Sequence, residues 1–162
     1  MKRFMLIISA LLLAGTCLAQ VPGVKLEDQK GRPAESVKAI TGGGTPAIVS
    51  FWRSDCIPCI KELSAIYDAL PDWQEKAAFK VVAVSTDDSR SVAKARSMAQ
   101  GKGWTDDYVM LYDLNQDFAR AMNVTLTPQT FIFDGKGRLV YSHTGYTPGS
   151  EGELLKEILK LK

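Results

Sequence analysis

The sequence contains few of the residues that build metal centres and disulfide scaffolds. It has one histidine and three cysteines in 162 residues. A single histidine excludes a metal centre with several histidine ligands. Three cysteines are too few for a disulfide framework, and the odd number leaves one of them without a partner.

Other features are missing as well. The formal net charge of +2 gives no basic face, so we expect no nucleic-acid partner. There is no internal repeat and no low-complexity tract. With 46% hydrophobic and 23% charged residues, the composition is that of an ordinary globular protein. The length suits one domain, since domains cluster at roughly 100–150 residues.

The first residues have the order of a secretory signal peptide. Lys2 and Arg3 provide positive charge, and residues 4–13 are apolar except for Ser9. Residues 14–19 are mostly small, as expected before a cleavage site.

The apolar segment of residues 4–19 is shorter than the roughly 20 residues that a membrane-spanning helix needs. This length favours cleavage over retention as a membrane anchor. A lipid on Cys17 is a weaker alternative, because the bulky Thr16 precedes it. We therefore expect residues 1–19 to be a signal peptide and residues 20–162 to form one periplasmic or secreted domain.

The pattern of the mature chain predicts an α/β fold. Apolar runs at residues 47–52 and 79–85 predict buried strands, and apolar residues spaced by three and four from Pro58 predict a helix that ends near Pro71. The other predicted elements are an N-terminal strand or hairpin at residues 24–32, a helix through about Gln100 capped from residues 86–89, a strand at 108–112, a short helix at 115–122, a hairpin at 130–141 and a closing helix at 154–161. Helices between strands indicate a sheet with parallel strands and an antiparallel hairpin at one edge.

The most specific signal is Cys56-Ile57-Pro58-Cys59, at the junction of an apolar strand and a helix. A thiol at a helix N-terminus faces free backbone N–H groups, which stabilise its thiolate. Cys56 is therefore the predicted nucleophile, and the more buried Cys59 the resolving thiol. An inert disulfide is less favoured, because so short a loop removes little chain entropy. A zinc site would need two further ligands, and no second cysteine or histidine pair exists.

Residues 51–62 resemble the active-site segment of the thioredoxin superfamily, and more narrowly the TlpA/ResA-like exported thiol–disulfide oxidoreductases. The resemblance extends over residues 23–161 and includes the segment that ends in Pro128, the hairpin at 134–138 and Gly145. It implies a thioredoxin-like fold: a central mixed sheet flanked by helices, with a small N-terminal strand or hairpin extension. It implies no cofactor other than the redox-active disulfide.

The resemblance also implies roles for residues around the cysteines. Pro128 is expected to follow a cis peptide bond, and the backbone of Thr127 to pair with an extended substrate. Trp52 is expected to pack at the active site, where it shields the disulfide and helps to form the substrate-binding region.

Glu62 lies one helical turn after Cys59, at a position where ResA-like proteins carry a glutamate that assists proton transfer. The resemblance therefore implies an acid/base role for Glu62. The alternative is a solvated glutamate that pairs with nearby lysines. Thioredoxin has a buried aspartate six residues before its first cysteine, and this chain has Ser50 there.

The residues around Cys56 favour the reducing direction. No histidine lies between the cysteines, and the negative charge of Asp55 opposes formation of the thiolate. The expected partners are exported proteins with disulfides or thiols, including those of cytochrome c maturation by family resemblance, and an unidentified membrane electron donor. We expect a monomer.

Two other functions are alternatives to disulfide exchange. One is a non-enzymatic copper- or thiol-binding protein like the Sco family, in which His143 would join the cysteines. We interpret His143 instead as a surface residue of the hairpin strand. The other is a peroxidase-like reductant, suggested by the segment at residues 81–88, although the chain lacks a separate peroxidatic cysteine.

The N-terminal pattern makes a direct prediction. Cleavage after Ala19 leaves Gln20 as the first residue of the exported protein, because small residues precede that bond. N-terminal sequencing of protein recovered from the export compartment measures this. Recovery of a chain that keeps residues 1–19 in the membrane fraction would contradict it.

Overall fold

The structure, a computed structural model, describes residues 19–162. The predicted signal peptide, apart from Ala19, lies outside these residues. The strands are β1 (Lys25–Asp28), β2 (Pro33–Glu35), β3 (Ala47–Trp52), β4 (Lys80–Ser85), β5 (Tyr108–Tyr112), β6 (Gln129–Phe133) and β7 (Leu139–Thr144). The helices are α1 (Ser36–Thr41), α2 (Ile57–Lys76), α3 (Val92–Gly101), α4 (Trp104–Asp107), α5 (Asp117–Ala121) and α6 (Glu151–Leu159).

All seven strands form one mixed sheet in the order β2-β1-β5-β4-β3-β6-β7. The centre is parallel: β3 pairs with β4, and β4 pairs with β5. The hairpin of β6 and β7 adds antiparallel strands beyond β3, and the hairpin of β1 and β2 extends the opposite edge. This arrangement confirms the predicted α/β fold, its edge hairpin and its N-terminal hairpin.

β3 is the central strand, and all six of its residues are buried. Its two faces contribute to separate hydrophobic clusters, with Ile48 and Trp52 packing toward α2, and Val49 and Phe51 packing on the other side. Burial on both faces explains why the strand reads as a continuous apolar run. Ser50 is its one polar residue, and alternation places it on the α2 face.

The helix that carries the cysteines is longer than predicted. α2 continues through Pro71 to Lys76, although proline removes one backbone donor and costs roughly 3 kcal/mol in a helix interior. The last turns stay helical because Leu70 and Trp73 are buried in the core, where Trp73 packs on Phe79 with ring centroids 6.4 Å apart. The predicted end near Pro71 is therefore wrong.

Two further differences concern short elements. The sequence analysis missed α1, a helix of six residues held by the fully buried Ile40. α3 begins at Val92, later than the predicted capping residues 86–89 suggest. Of those four residues, only Asp88 has a side chain that accepts hydrogen bonds from the backbone just before the helix, from the N–H groups of Arg90 and Ser91.

Across residues 19–162, no helix has both the length and the apolar character that crossing a membrane requires.

The turn between β6 and β7 packs closely on the loop before β3, and this contact makes a prediction. A Cβ on Gly135 would overlap the carbonyl oxygen of Gly44, so Gly135→Ala should lower the free energy of unfolding by about 1–3 kcal/mol. Gly152→Ala is the matched control. A Cβ there meets nothing within 4 Å, and alanine in α6 should raise stability by about 0.5–1 kcal/mol. Denaturant unfolding measures both, and equal effects would contradict the close approach.

Candidate active site

The cysteine pair lies where the central strand β3 leads into α2. Cys56 is the N-cap of the helix, and Cys56 and Cys59 are joined by a disulfide with their Cα atoms 5.3 Å apart. Cys59 is completely buried in the cluster that contains Trp52 and Leu63, whereas Cys56 is only partly buried. A substrate can therefore reach the sulfur of Cys56 but not that of Cys59.

The helix start directs backbone N–H groups at the sulfur of Cys56. The N–H of Cys59 donates to Cys56 Sγ over 3.3 Å. The first N–H groups of an α-helix have no partner within the helix, and they form the positive end of its dipole. A negative charge on Cys56 is stabilised in this position, as a thiolate nucleophile requires.

The loop before β6 lies against the cysteines. The Thr127–Pro128 peptide bond is cis, as the family resemblance implies. The carbonyl oxygen of Thr127 lies 3.6 Å from Cys56 Sγ. The N–H of Thr127 finds no acceptor among residues 19–162, so it is available to another chain.

Beside Cys56 is a small groove of about 140 Å³. Its lining includes Arg53, Thr86, Gln116, Val124, Leu126 and Thr127. Ile57 and Leu126 stand at the surface here, each with 67% of its area exposed. Exposed apolar side chains of this size next to a reactive sulfur suit contact with another protein.

A buried carboxylate holds the loop that precedes Cys56. Asp87, which the sequence analysis assigned to a helix cap, accepts hydrogen bonds from the backbone N–H and the hydroxyl of Ser54, at 2.9 and 2.7 Å. The hydroxyl of Ser85 is a third donor, at 2.9 Å. All three residues are buried, so this network fixes the path of the chain into the active site. Sequence reasoning missed it, because Ser54 and Asp87 are 33 residues apart.

The charge of Asp55 has a partner that the sequence analysis did not consider. Arg53 donates to both carboxylate oxygens of Asp55, over 2.9 and 3.1 Å. This hydrogen bond holds the pKa of Asp55 below its ordinary value and raises the pKa of Arg53. Asp55 is therefore ionised, and the adjacent guanidinium offsets its effect on Cys56.

Glu62 is completely buried against three strands of the sheet. Its Oε2 lies 3.0 Å from the hydroxyl of Ser50 and 2.9 Å from the hydroxyl of Thr130. Its Oε1 lies 2.9 Å from Nε2 of His143. The alternative of a solvated glutamate paired with lysines is therefore wrong. Ser50 replaces the buried aspartate of thioredoxin, and its hydroxyl contacts a carboxyl group that comes from α2 instead.

His143 is not the surface residue that we predicted from the sequence. Only 18% of its side chain is exposed, and its imidazole faces Glu62. Alternation along β7 places His143 on the same face as Tyr141, which packs on the buried core. The two-residue spacing from Tyr141 is the feature of the sequence that could have predicted an inward-facing His143. Within residues 19–162, no group of three or more histidine, cysteine or acidic side chains is arranged to hold a metal ion.

Trp52 has no exposed surface. Its ring packs edge-on against Trp104, with centroids 5.4 Å apart, in the same cluster as Cys59. Trp52 and Cys59 therefore share one buried cluster, and shielding of the disulfide by Trp52 stays a prediction. Other residues cover this side chain, so it cannot contact a substrate directly in this arrangement. The expectation that Trp52 helps to form the substrate-binding region is therefore wrong.

The order of the sheet and the position of the cysteine pair are those of a thioredoxin-like protein. Residues 18–142 match the model of the AhpC/TSA family, and the chain belongs to that family. Within the thioredoxin superfamily it is TlpA/ResA-like.

Known proteins support this assignment. The solution structure of an uncharacterized thioredoxin-like protein from Porphyromonas gingivalis is 43% identical, with a TM-score of 0.77, over 89% of this chain and 92% of that one. The thiol:disulfide interchange protein DsbE of Yersinia pestis is 28% identical over 77% of this chain. The thiol-disulfide oxidoreductase ResA of Bacillus subtilis is 25% identical over 78% of it. The matches span 62% of the length of DsbE and 66% of that of ResA.

The ion pair beside Cys56 makes a prediction about thiol reactivity. In the reduced protein, Asp55→Asn should speed alkylation of Cys56 at neutral pH, and Arg53→Gln should slow it, because each variant changes the local charge in the opposite sense. Exposed pairs have small effects, so we expect changes of about two- to threefold. Iodoacetamide kinetics measure the rates.

Arg32→Gln serves as the control, since it removes an exposed arginine paired with Asp28 on the N-terminal hairpin. Changes of the same sign in the Asp55 and Arg53 variants would show that their charges do not govern the thiolate.

Proposed function

We propose that this protein is a thiol–disulfide oxidoreductase that reduces disulfides in exported proteins. The observation that carries the proposal is the unequal exposure of the two cysteines at the start of α2. Cys56 is accessible and faces helix N–H groups, while Cys59 is completely buried behind it. The names of DsbE and ResA describe the same chemistry in two relatives.

The reaction needs both thiols of the reduced protein. The thiolate of Cys56 attacks one sulfur of the substrate disulfide, which breaks and leaves a mixed disulfide on Cys56 and one free substrate thiolate. Cys59 then loses its proton and attacks Sγ of Cys56, releasing the second substrate thiolate. Two electrons pass to the substrate, both substrate sulfurs take up protons, and Cys56 and Cys59 end as a disulfide.

The surface beside Cys56 suits an extended segment of a protein substrate. The unpaired N–H of Thr127 and the carbonyl of the same residue next to Cys56 Sγ support strand-like pairing with substrate backbone. The exposed side chains of Ile57 and Leu126 provide apolar contact. Affinity from backbone pairing is compatible with several substrates, because it depends little on sequence.

Glu62 is the proposed acid/base group. It lies one helical turn after Cys59, and residues three apart on a helix are neighbours. Removal of the Cys59 proton inside a water-excluded core needs an acceptor nearby, and a carboxyl group can serve. The hydroxyls of Ser50 and Thr130 support its orientation.

The reducing direction rests on the sequence between and before the cysteines. Ile57 and Pro58 bring no cationic group to Cys56. The positive charge of Arg53 balances the negative charge of Asp55 and leaves no net positive charge from this pair to stabilise the thiolate. Strongly oxidising couples depend on extra stabilisation of the thiolate. Recharging the pair would require an electron donor at the membrane, and the exported substrates include those of cytochrome c maturation by family resemblance.

Peroxide reduction is a second candidate, favoured by the AhpC/TSA family match. The Cys56 thiolate would attack one peroxide oxygen and form a sulfenic acid with release of water. Cys59 would then displace hydroxide to give the same disulfide. Consumption of hydrogen peroxide faster than reduction of protein disulfides would favour this function.

Substrate trapping tests the proposed function. In Cys59→Ala the mixed disulfide cannot be resolved, so exported proteins should accumulate covalently on Cys56. Recovery under non-reducing conditions and mass spectrometry identify them. Cys56→Ala is the matched control, because the remaining cysteine is buried and should capture none.

The wild-type protein provides the decisive comparison. It should reduce a generic protein disulfide with a reduction potential well below the roughly −120 mV of a dedicated oxidant. No trapped protein together with an inert wild type would refute the oxidoreductase function. A potential near the oxidant's value would refute the direction only.

A further inference from the structure

Glu62 is sealed from water at the place where it would receive the Cys59 proton. The carboxyl group is completely buried, and the hydroxyl-bearing residues on its Oε2 side, Ser50 and Thr130, are completely buried as well. A bound substrate would cover the Cys56 side in addition. The proton therefore needs a path that leaves the site elsewhere.

The sheet register provides a neighbour on the other carboxyl oxygen. Ser50 of β3 is paired with Thr130 of β6, and Thr130 is paired with His143 of β7, so the three side chains form a polar row across adjacent strands. The row faces α2, and Glu62 projects into it. Oε1 contacts Nε2 of His143 at 2.9 Å, which is a normal hydrogen-bond distance.

His143 connects this row to solvent. The side chain lines a cavity of about 440 Å³ beside the loop before α6, together with Tyr141, Tyr146 and Glu153. Its second ring nitrogen, Nδ1, is buried and has no hydrogen-bond partner in residues 19–162. The lining of this cavity shares no residue with the groove beside Cys56, so the two openings are separate.

We propose that His143 relays the Cys59 proton from Glu62 to water in this cavity. Glu62 starts with a proton on Oε1, the oxygen that faces Nε2. As a proton from Cys59 reaches Oε2, the Oε1 proton passes to Nε2. A rotation of the partly exposed ring toward the cavity then brings Nδ1, which is buried in the resting position, to water, and Nδ1 gives up its own proton there. Nε2–H then donates to Oε1. Recharging reverses each transfer: Nδ1 takes a proton from water, Nε2 returns one to Oε1, and the carboxyl group returns one to Cys59.

The inference rests on the proposed function, since the relay matters only if Cys59 exchanges its proton. Imidazole is suited to the role, because it can accept at one nitrogen while it donates from the other. His143 acts through Glu62 and not on the substrate, so it is a positioning residue for proton transfer.

The other titratable groups facing the pair come from four elements: Cys59 of α2, Tyr108 of β5, Tyr141 of β7, and Tyr146 and Glu153 around the start of α6. Burial, followed by smaller effects of neighbouring groups, raises the pKa of each tyrosine. The three phenols stay protonated near neutral pH and do not compete for the proton.

Stopped-flow kinetics of the reduced full-length mature domain test the relay. An aromatic disulfide that releases a coloured thiolate gives two phases: attack by Cys56, then displacement by Cys59. His143→Gln keeps a hydrogen-bond donor near the position of Nε2 but cannot take up a proton. We expect it to slow the second phase about tenfold at neutral pH and to change its pH profile, with the first phase unchanged.

Two further variants separate proton relay from packing. His143→Ala should be slowed similarly and partly rescued by added imidazole, because the adjacent cavity can admit it. In a Glu62→Gln background, itself slowed on the order of 10²-fold, His143→Gln should cost nothing more. Ser142→Ala, an exposed neighbour on the same strand, should match the wild type in both phases.

Three outcomes of these experiments would contradict the relay. A wild-type second phase with an unaltered rate and pH profile in His143→Gln would overturn the relay and leave the proposed function in place. A loss that is equal at every pH, resists imidazole and adds to that of Glu62→Gln would also overturn it, as a packing effect. A wild type that shows no displacement by Cys59 would overturn the proposed function, and the relay with it.

Discussion

The first turns of α2 pack against the central strand β3, and every part of the active site depends on this contact. It buries Cys59 completely and leaves Cys56 at the rim, so the two sulfurs differ in access although only two residues separate them. It also carries Glu62 into the interior. Hydrophobic burial of Leu63 and Ile66 on the same face of the helix supplies the driving force, since each removes a large apolar surface from water.

Burying a carboxyl group is costly unless its oxygens find partners. Glu62 is accommodated because the neighbouring strands β3, β6 and β7 each provide one polar side chain, and the strand register places the three side chains side by side. Asp87 follows the same rule at the carboxyl end of β4, where two serines satisfy it. Each carboxyl oxygen of Glu62 and Asp87 therefore has a hydrogen-bond partner, and an unpartnered oxygen in either position would destabilise the core.

Several parts of the site could be predicted from local sequence. The cysteine spacing, the apolar strand before it and the helical periodicity after it act over a few residues, and each leads to the observed element. The same local reasoning failed where packing overrides propensity, as at Pro71, which stays within a helix because Leu70 and Trp73 are anchored in the core. It also missed pairing partners of charged residues, such as Arg53 for Asp55.

The sequence by itself determined the redox pair, the helix that presents it and the α/β class, because these follow from spacing and periodicity along the chain. Only the tertiary structure decided the surroundings of Glu62. Its partners Ser50, Thr130 and His143 are 12, 68 and 81 residues away in the chain. They meet through strand register, which no local pattern reveals, because a strand offers the same alternation whichever neighbour it pairs with.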